Sequence, residues 1–153
     1  MNKNFLILYI ALTILLSFFQ NNEATAEPLV VIVHPQNEIE NISMRELAMI
    51  YQETRTRWSN SQTILKINYT PESAIRTNFI RLVFNQPGIF KLISPVTHRV
   101  SEGLIFSTPE EVINFVSKSS NAIGYIPFKN LNKSIKTIKI DAMNHTDIGY
   151  PLR

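Results

Sequence analysis

The sequence predicts an α/β domain built on a mixed, mostly parallel sheet flanked by helices. Short β-branched or alternating apolar runs recur at Leu29–His34, Ile64–Tyr69, Ala122–Ile126 and Ile135–Ile140. Between them lie amphipathic segments opened by helix-capping signals. Strands and helices therefore alternate along the chain, the order expected when helical crossovers join neighbouring strands. No repeat, low-complexity tract or internal linker divides the chain after residue 26, which predicts one domain over residues 27–153.

The first run, LVVIVH, is continuously apolar up to His34, ends at Pro35 and reads as a buried strand. Ser43 with Glu46 three residues on is a capping box, and the helix it opens carries Leu47, Ile50 and Tyr51 on one face. It stops near Gln52, before the charged loop Glu53–Trp58. Ile64–Tyr69 alternates apolar and polar positions as a second strand. Thr70-Pro71-Glu72-Ser73 leads into another helix, with Pro71 expected at or near its first position and Glu72 as an acid in its first turn. Ile75, Phe79, Leu82 and Val83 form its core stripe. Gln86-Pro87-Gly88 ends that helix, Ile89–Ile93 reads as a further helical turn, and Ser94–Gly103 as an extended loop. Thr108 and Glu111 form a second capping box, followed by Val112, Ile113, Phe115 and Val116. Ala122–Ile126 is then a short strand and Ile135–Ile140 an alternating one.

The amino terminus carries an export pattern. Lys3 precedes an apolar run from Phe5 to Phe19, and Ala24-Thr25-Ala26 places small residues where a signal peptidase cuts. Fifteen helical residues span about 22 Å, short of the roughly 30 Å hydrocarbon core. Residues 1–26 are thus expected to be a signal peptide cleaved at about Ala26-Glu27, the alternative being an uncleaved anchor. Cleavage leaves no stable membrane anchor and a periplasmic or secreted product.

Removing that segment takes away Lys3 and Glu23, leaving 14 basic and 11 acidic residues without clustering. Nucleic-acid binding has no footprint in so mild and scattered an excess, whereas small anions or an anionic surface remain compatible with it. The chain has no cysteine, which removes disulfides, thiolate metal sites and cysteine nucleophiles. His34, His98 and His145 lie far apart, no glycine-rich phosphate loop is present, and no serine occupies a nucleophile elbow. Glu110 and Glu111 are explained by capping and the helix dipole. No enzyme, metal or cofactor is predicted.

The remaining candidate is the strand–loop–helix junction at Ile67–Arg76. A helix amino terminus offers free N–H groups and a positive dipole end, Thr70 and Ser73 add hydroxyls, and Arg76 follows one turn later. These groups suit a small oxyanion such as phosphate. An ordinary cap followed by a surface arginine is the competing reading, and Glu72 stands where an anion would go. Arg55, Arg57 and Trp58 form a second candidate, a basic–aromatic edge, against the alternative that Trp58 closes the core and the arginines are solvated. His98 and Arg99 face a ligand or merely line a polar loop.

Four segments together resemble the phosphate-type periplasmic solute-binding proteins of ABC transporters. They are Leu29–Asn37, Ile42–Asn60, Asn68–Phe79 and Thr108–Pro127, and Ala122-Ile123-Gly124-Tyr125 is the most specific stretch. The resemblance implies a single lobe of the two-lobed type 2 periplasmic-binding fold, with Ser73 carried over as a ligand residue and Arg76 matching the arginine of short family members. It leaves open whether the AIGY strand touches ligand or only closes the sheet. The family loop R-x-D-G-S-G-T is replaced here by Asn68-Tyr69-Thr70-Pro71-Glu72-Ser73-Ala74, without its arginine or glycines. Two functions follow as expectations: weak oxyanion recognition, or a ligand-free envelope module that binds a transporter or envelope protein.

Overall fold

The computed structural model describes residues 27–85 and 103–153. The expected signal segment, the stop at Gln86-Pro87-Gly88, the turn at Ile89–Ile93, most of the Ser94–Gly103 loop, and His98 and Arg99 lie outside the described residues.

Seven strands are described: β1 (Leu29–Val33), β2 (Asn41–Ile42), β3 (Leu65–Tyr69), β4 (Leu104–Phe106), β5 (Ala122–Pro127), β6 (Lys136–Thr137) and β7 (Lys139–Ile140). The three α-helices are α1 (Met44–Tyr51), α2 (Ala74–Phe84) and α3 (Pro109–Val116), and a 3-10 turn covers Phe128–Asn130. The main sheet has the order β4-β3-β5-β1-β6, and β2 pairs with β7 in a small parallel sheet. β3 is parallel to both β4 and β5, while β1 is antiparallel to β5 and β6. Four strands thus point one way and β1 alone runs against them, which makes the sheet mixed and mostly parallel.

Each element follows from its residues. β1 is buried at every position, as a strand covered on both faces requires. In α1, Ser43 Oγ accepts from Glu46 N at 3.1 Å and Glu46 Oε2 accepts from Ser43 N at 2.9 Å, closing the expected box. In α3, Thr108 Oγ1 accepts from Glu111 N, and Glu111 Oε2 accepts from Thr108 N and Ser107 N. α1 ends at Gln52 as expected.

The AIGY stretch of β5 is a structural centre. A Cβ on Gly124 would lie 3.0 Å from Val112 Cγ1 and 3.5 Å from Val116 Cγ2, so glycine lets α3 settle against the sheet. On the other face, Tyr125 stacks on Phe79 of α2 at 3.7 Å between centroids, and Tyr51 of α1 closes against both rings.

Two expectations are corrected and one strand is added. Pro71 and Glu72 precede α2 rather than opening it: Ser73 is the N-cap, and the first turn holds no acid. The alternating run at Ile135–Ile140 splits into β6 and β7, which join different sheets. Its buried isoleucines are 135, 138 and 140, a spacing no straight strand gives, and Ile138 N donates instead to Val31 O at 3.2 Å. A short edge strand, β4, begins where a loop was expected to end. Gly103 seats it: its φ is +61°, and a Cβ there would come within 2.6 Å of Lys66 O, so both conformation and space demand glycine.

Candidate functional site

The carboxyl ends of β3, β4 and β5 lie along one edge of the sheet, and α2 and α3 begin there. In open α/β sheets this is the edge that receives ligands. The two helix starts differ. At α3, the N–H groups of Ser107, Thr108 and Glu111 are all taken by the capping box. At α2, Ser73 has extended N-cap geometry but makes no side-chain capping bond, and no acid lies in the first turn. Among the described residues no side chain caps the first N–H groups of α2.

The structure brings Thr70, Ser73 and Arg76 together in one turn. Ser73 N donates to Thr70 O at 3.0 Å, Thr70 N bridges to Phe106 O on β4 at 3.2 Å, and Arg76 reaches back to donate from Nη1 to Tyr69 O at 3.0 Å. Thr70 and Ser73 are half-buried. Arg76 is only 8% exposed, so it is a buried guanidinium tied to the end of β3 rather than a surface side chain. None of the described ion pairs includes it. Glu72 is exposed beside the turn.

A polar network lies under α1 and α2. Tyr125 OH donates to Asn68 Oδ1 at 2.6 Å, Tyr69 OH to Tyr125 O at 3.1 Å, and Tyr51 OH to Ile67 O at 3.1 Å. Burial raises the pKa of all three phenols, so they remain donors at neutral pH. Asn68 is fully buried, and its Nδ2 has no partner among the described residues. Lys66 is buried too, with Nζ 2.9 Å from Glu53 Oε1 and 3.4 Å from Tyr51 O; desolvation lowers its pKa against the pull of Glu53. The alternating pattern marks 66 and 68 as polar positions, yet helices cover that face and both side chains are inside.

The basic–aromatic edge does not form. Trp58 is 4% exposed and donates from Nε1 to Asn121 O at 3.0 Å, Arg55 is ion-paired with Glu46, and Arg57 donates to Ser61 O. His34 Nδ1 accepts from Gln36 N, and the His145 ring lies against Phe128. Among the described residues no group of three or more His, Asp or Glu side chains is placed to hold a metal ion. Nor is any helix among them long and apolar enough to cross a membrane.

Solved structures share this architecture. The chain is similar to an ABC-type phosphate transport receptor from Vibrio cholerae, with TM-score 0.67 and 22% identity, over 78% of this chain and 48% of that one. It is similar to PstS from Borrelia burgdorferi, with TM-score 0.68 and 22% identity, over 77% and 49%. A Clostridium perfringens structure with bound phosphate gives TM-score 0.67 and 20% identity, over 78% and 47%. The fold is that of periplasmic binding proteins. The chain spans about half the length of these structures. No protein-family profile and no curated protein sequence matches it.

The sequence places Thr70, Ser73 and Arg76 at one junction but does not reveal that Arg76 turns inward, nor that Arg81 and Lys129 share a cleft. These two line, with Glu27 and Glu72, a broad open cleft of about 950 Å³ beside α2. Neither belongs to a motif, and only the packing of β5 and the 3-10 turn beside α2 gathers them.

Proposed function

We propose that this chain is an exported, single-lobe solute-binding-like protein that recognises phosphate or a similar small oxyanion at Thr70, Ser73 and Arg76. Residues 1–26 act as the signal peptide and residues 27–153 as the working domain, in the periplasm or outside the cell. The protein binds and does not catalyse. The observation that carries this reading is the uncapped start of α2 at the carboxyl edge of the sheet, whereas the other two described α-helices are reciprocally capped. Similarity in fold to structures described as phosphate receptors, one holding phosphate, supports the same ligand class.

Recognition is passive. An anion at the turn accepts from the free N–H groups of α2 and from the Thr70 and Ser73 hydroxyls, while Arg76 supplies positive charge from beneath. The site is open to water, which competes for each hydrogen bond, so binding is weak.

Calorimetric titration of phosphate and sulfate at low salt tests this, using protein expressed from the full chain and purified as the cell processes it. Saturable heat is expected from the wild type. Ser73→Asp gives the helix a carboxylate that occupies the same N–H groups, so it is expected to abolish the heat while stabilising α2. No heat from a folded wild type, or undiminished heat from Ser73→Asp, overturns the reading.

A further inference from the structure

The cleft beside α2 presents a face whose charge order is its own complement. Its floor is Leu29 and Pro127, and its wall is the outer side of α2. Ala74, Asn78 and Arg81 fall at i, i+4 and i+7 along that wall, with Thr77 beside them. Small side chains at its middle allow another backbone to come close. Glu72 stands exposed just before the amino end and Arg81 exposed in the last turn. Neither belongs to an ion pair among the described residues, and Arg81 donates only to Asn78 Oδ1 within its own helix, at 2.8 Å.

We propose that two copies of this chain pair through this face, with their α2 helices antiparallel about a two-fold axis beside Thr77. A two-fold interface needs a self-complementary patch, and acid at one end with base at the other provides it. Glu72 of each copy then meets Arg81 of the partner subunit, and this happens twice. The opposed helix dipoles are also favourably placed.

The pairing bears on the oxyanion site, a consequence that rests on the function proposed above. Alone, Glu72 repels an anion at the start of α2. Paired, its charge is neutralised and a second cation stands beside the uncapped turn, so phosphate binding and dimerisation each strengthen the other.

Sedimentation in phosphate-free, low-salt buffer tests the pairing on the same full-chain product, with circular dichroism confirming the fold of each variant. The wild type is expected to be a dimer. Glu72→Arg and Arg81→Glu each set like charges against each other and should weaken association by on the order of tenfold or more. The double variant, Glu72→Arg with Arg81→Glu, should restore it. A wild type that stays monomeric at its highest soluble concentration, single variants that dimerise unchanged, or a double variant that stays monomeric overturns the proposal. No phosphate is present, so this outcome is read separately from that of the phosphate titration.

Discussion

α2 and α3 start at the same edge of the same sheet, yet their first turns are built in opposite ways. α3 opens on Thr108-Pro109-Glu110-Glu111, where Thr108 caps the N–H of Glu111 and Glu111 in turn takes those of Thr108 and Ser107. α2 opens on Ser73-Ala74-Ile75-Arg76 and consumes none through side chains. α3 is also locked to the sheet at Gly124, whereas the start of α2 is held from below by Arg76 on Tyr69 O. A helix capped reciprocally by its own side chains gains stability. A first turn without such caps leaves its N–H groups to solvent and forgoes a small stabilisation.

Breaking the α3 side should cost most. Gly124→Val drives branched atoms into Val112 and is expected to destabilise the fold by about 3 kcal/mol, the upper range for overpacking, read by urea denaturation. Thr108→Ala removes the N-cap oxygen and should cost about 1 kcal/mol in the same assay. The pH dependence sharpens the contrast. Hydrogen bonds from Ser107 N and then Thr108 N hold the Glu111 pKa below its ordinary 4.5. Its stabilisation is therefore complete above pH 4.5 and is lost as the pH falls through the lowered folded value. The wild type should lose more stability than Glu111→Gln in that acidic window, and equal acid sensitivity would contradict the capping role. Ser73→Ala should have the smallest effect, a few tenths of a kcal/mol, because no capping bond exists to be lost. A cost equal to that of Thr108→Ala would show that Ser73 caps α2 after all.

The capping boxes were legible because their chemistry is local: the donor, the acceptor and the three-residue spacing all lie in the sequence. The buried β1 and the AIGY strand were legible for a similar reason, since continuous apolar runs need cover wherever they sit. β4 was not, because three residues paired only to β3 leave no periodicity. The division of Ile135–Ile140 was hidden too, because two different sheets claim its halves. At the site, Thr70, Ser73 and Arg76 were legible as a cluster. The inward turn of Arg76 and the burial of Lys66 and Asn68 depend on helices closing over β3 from elsewhere in the chain.

The lone reversed strand also shapes the order in which this protein can assemble. β1 is the first of the described strands and sits in the interior of the sheet, yet Val33 pairs with Ile123 and Leu29 with Pro127, some ninety or more residues downstream. Leu29 N further donates to Leu152 O. A chain lacking β5 cannot pair β1 on that side, and so distant a contact slows folding. Until Ala122–Pro127 has been made, LVVIV lacks the strand that pairs along its whole length.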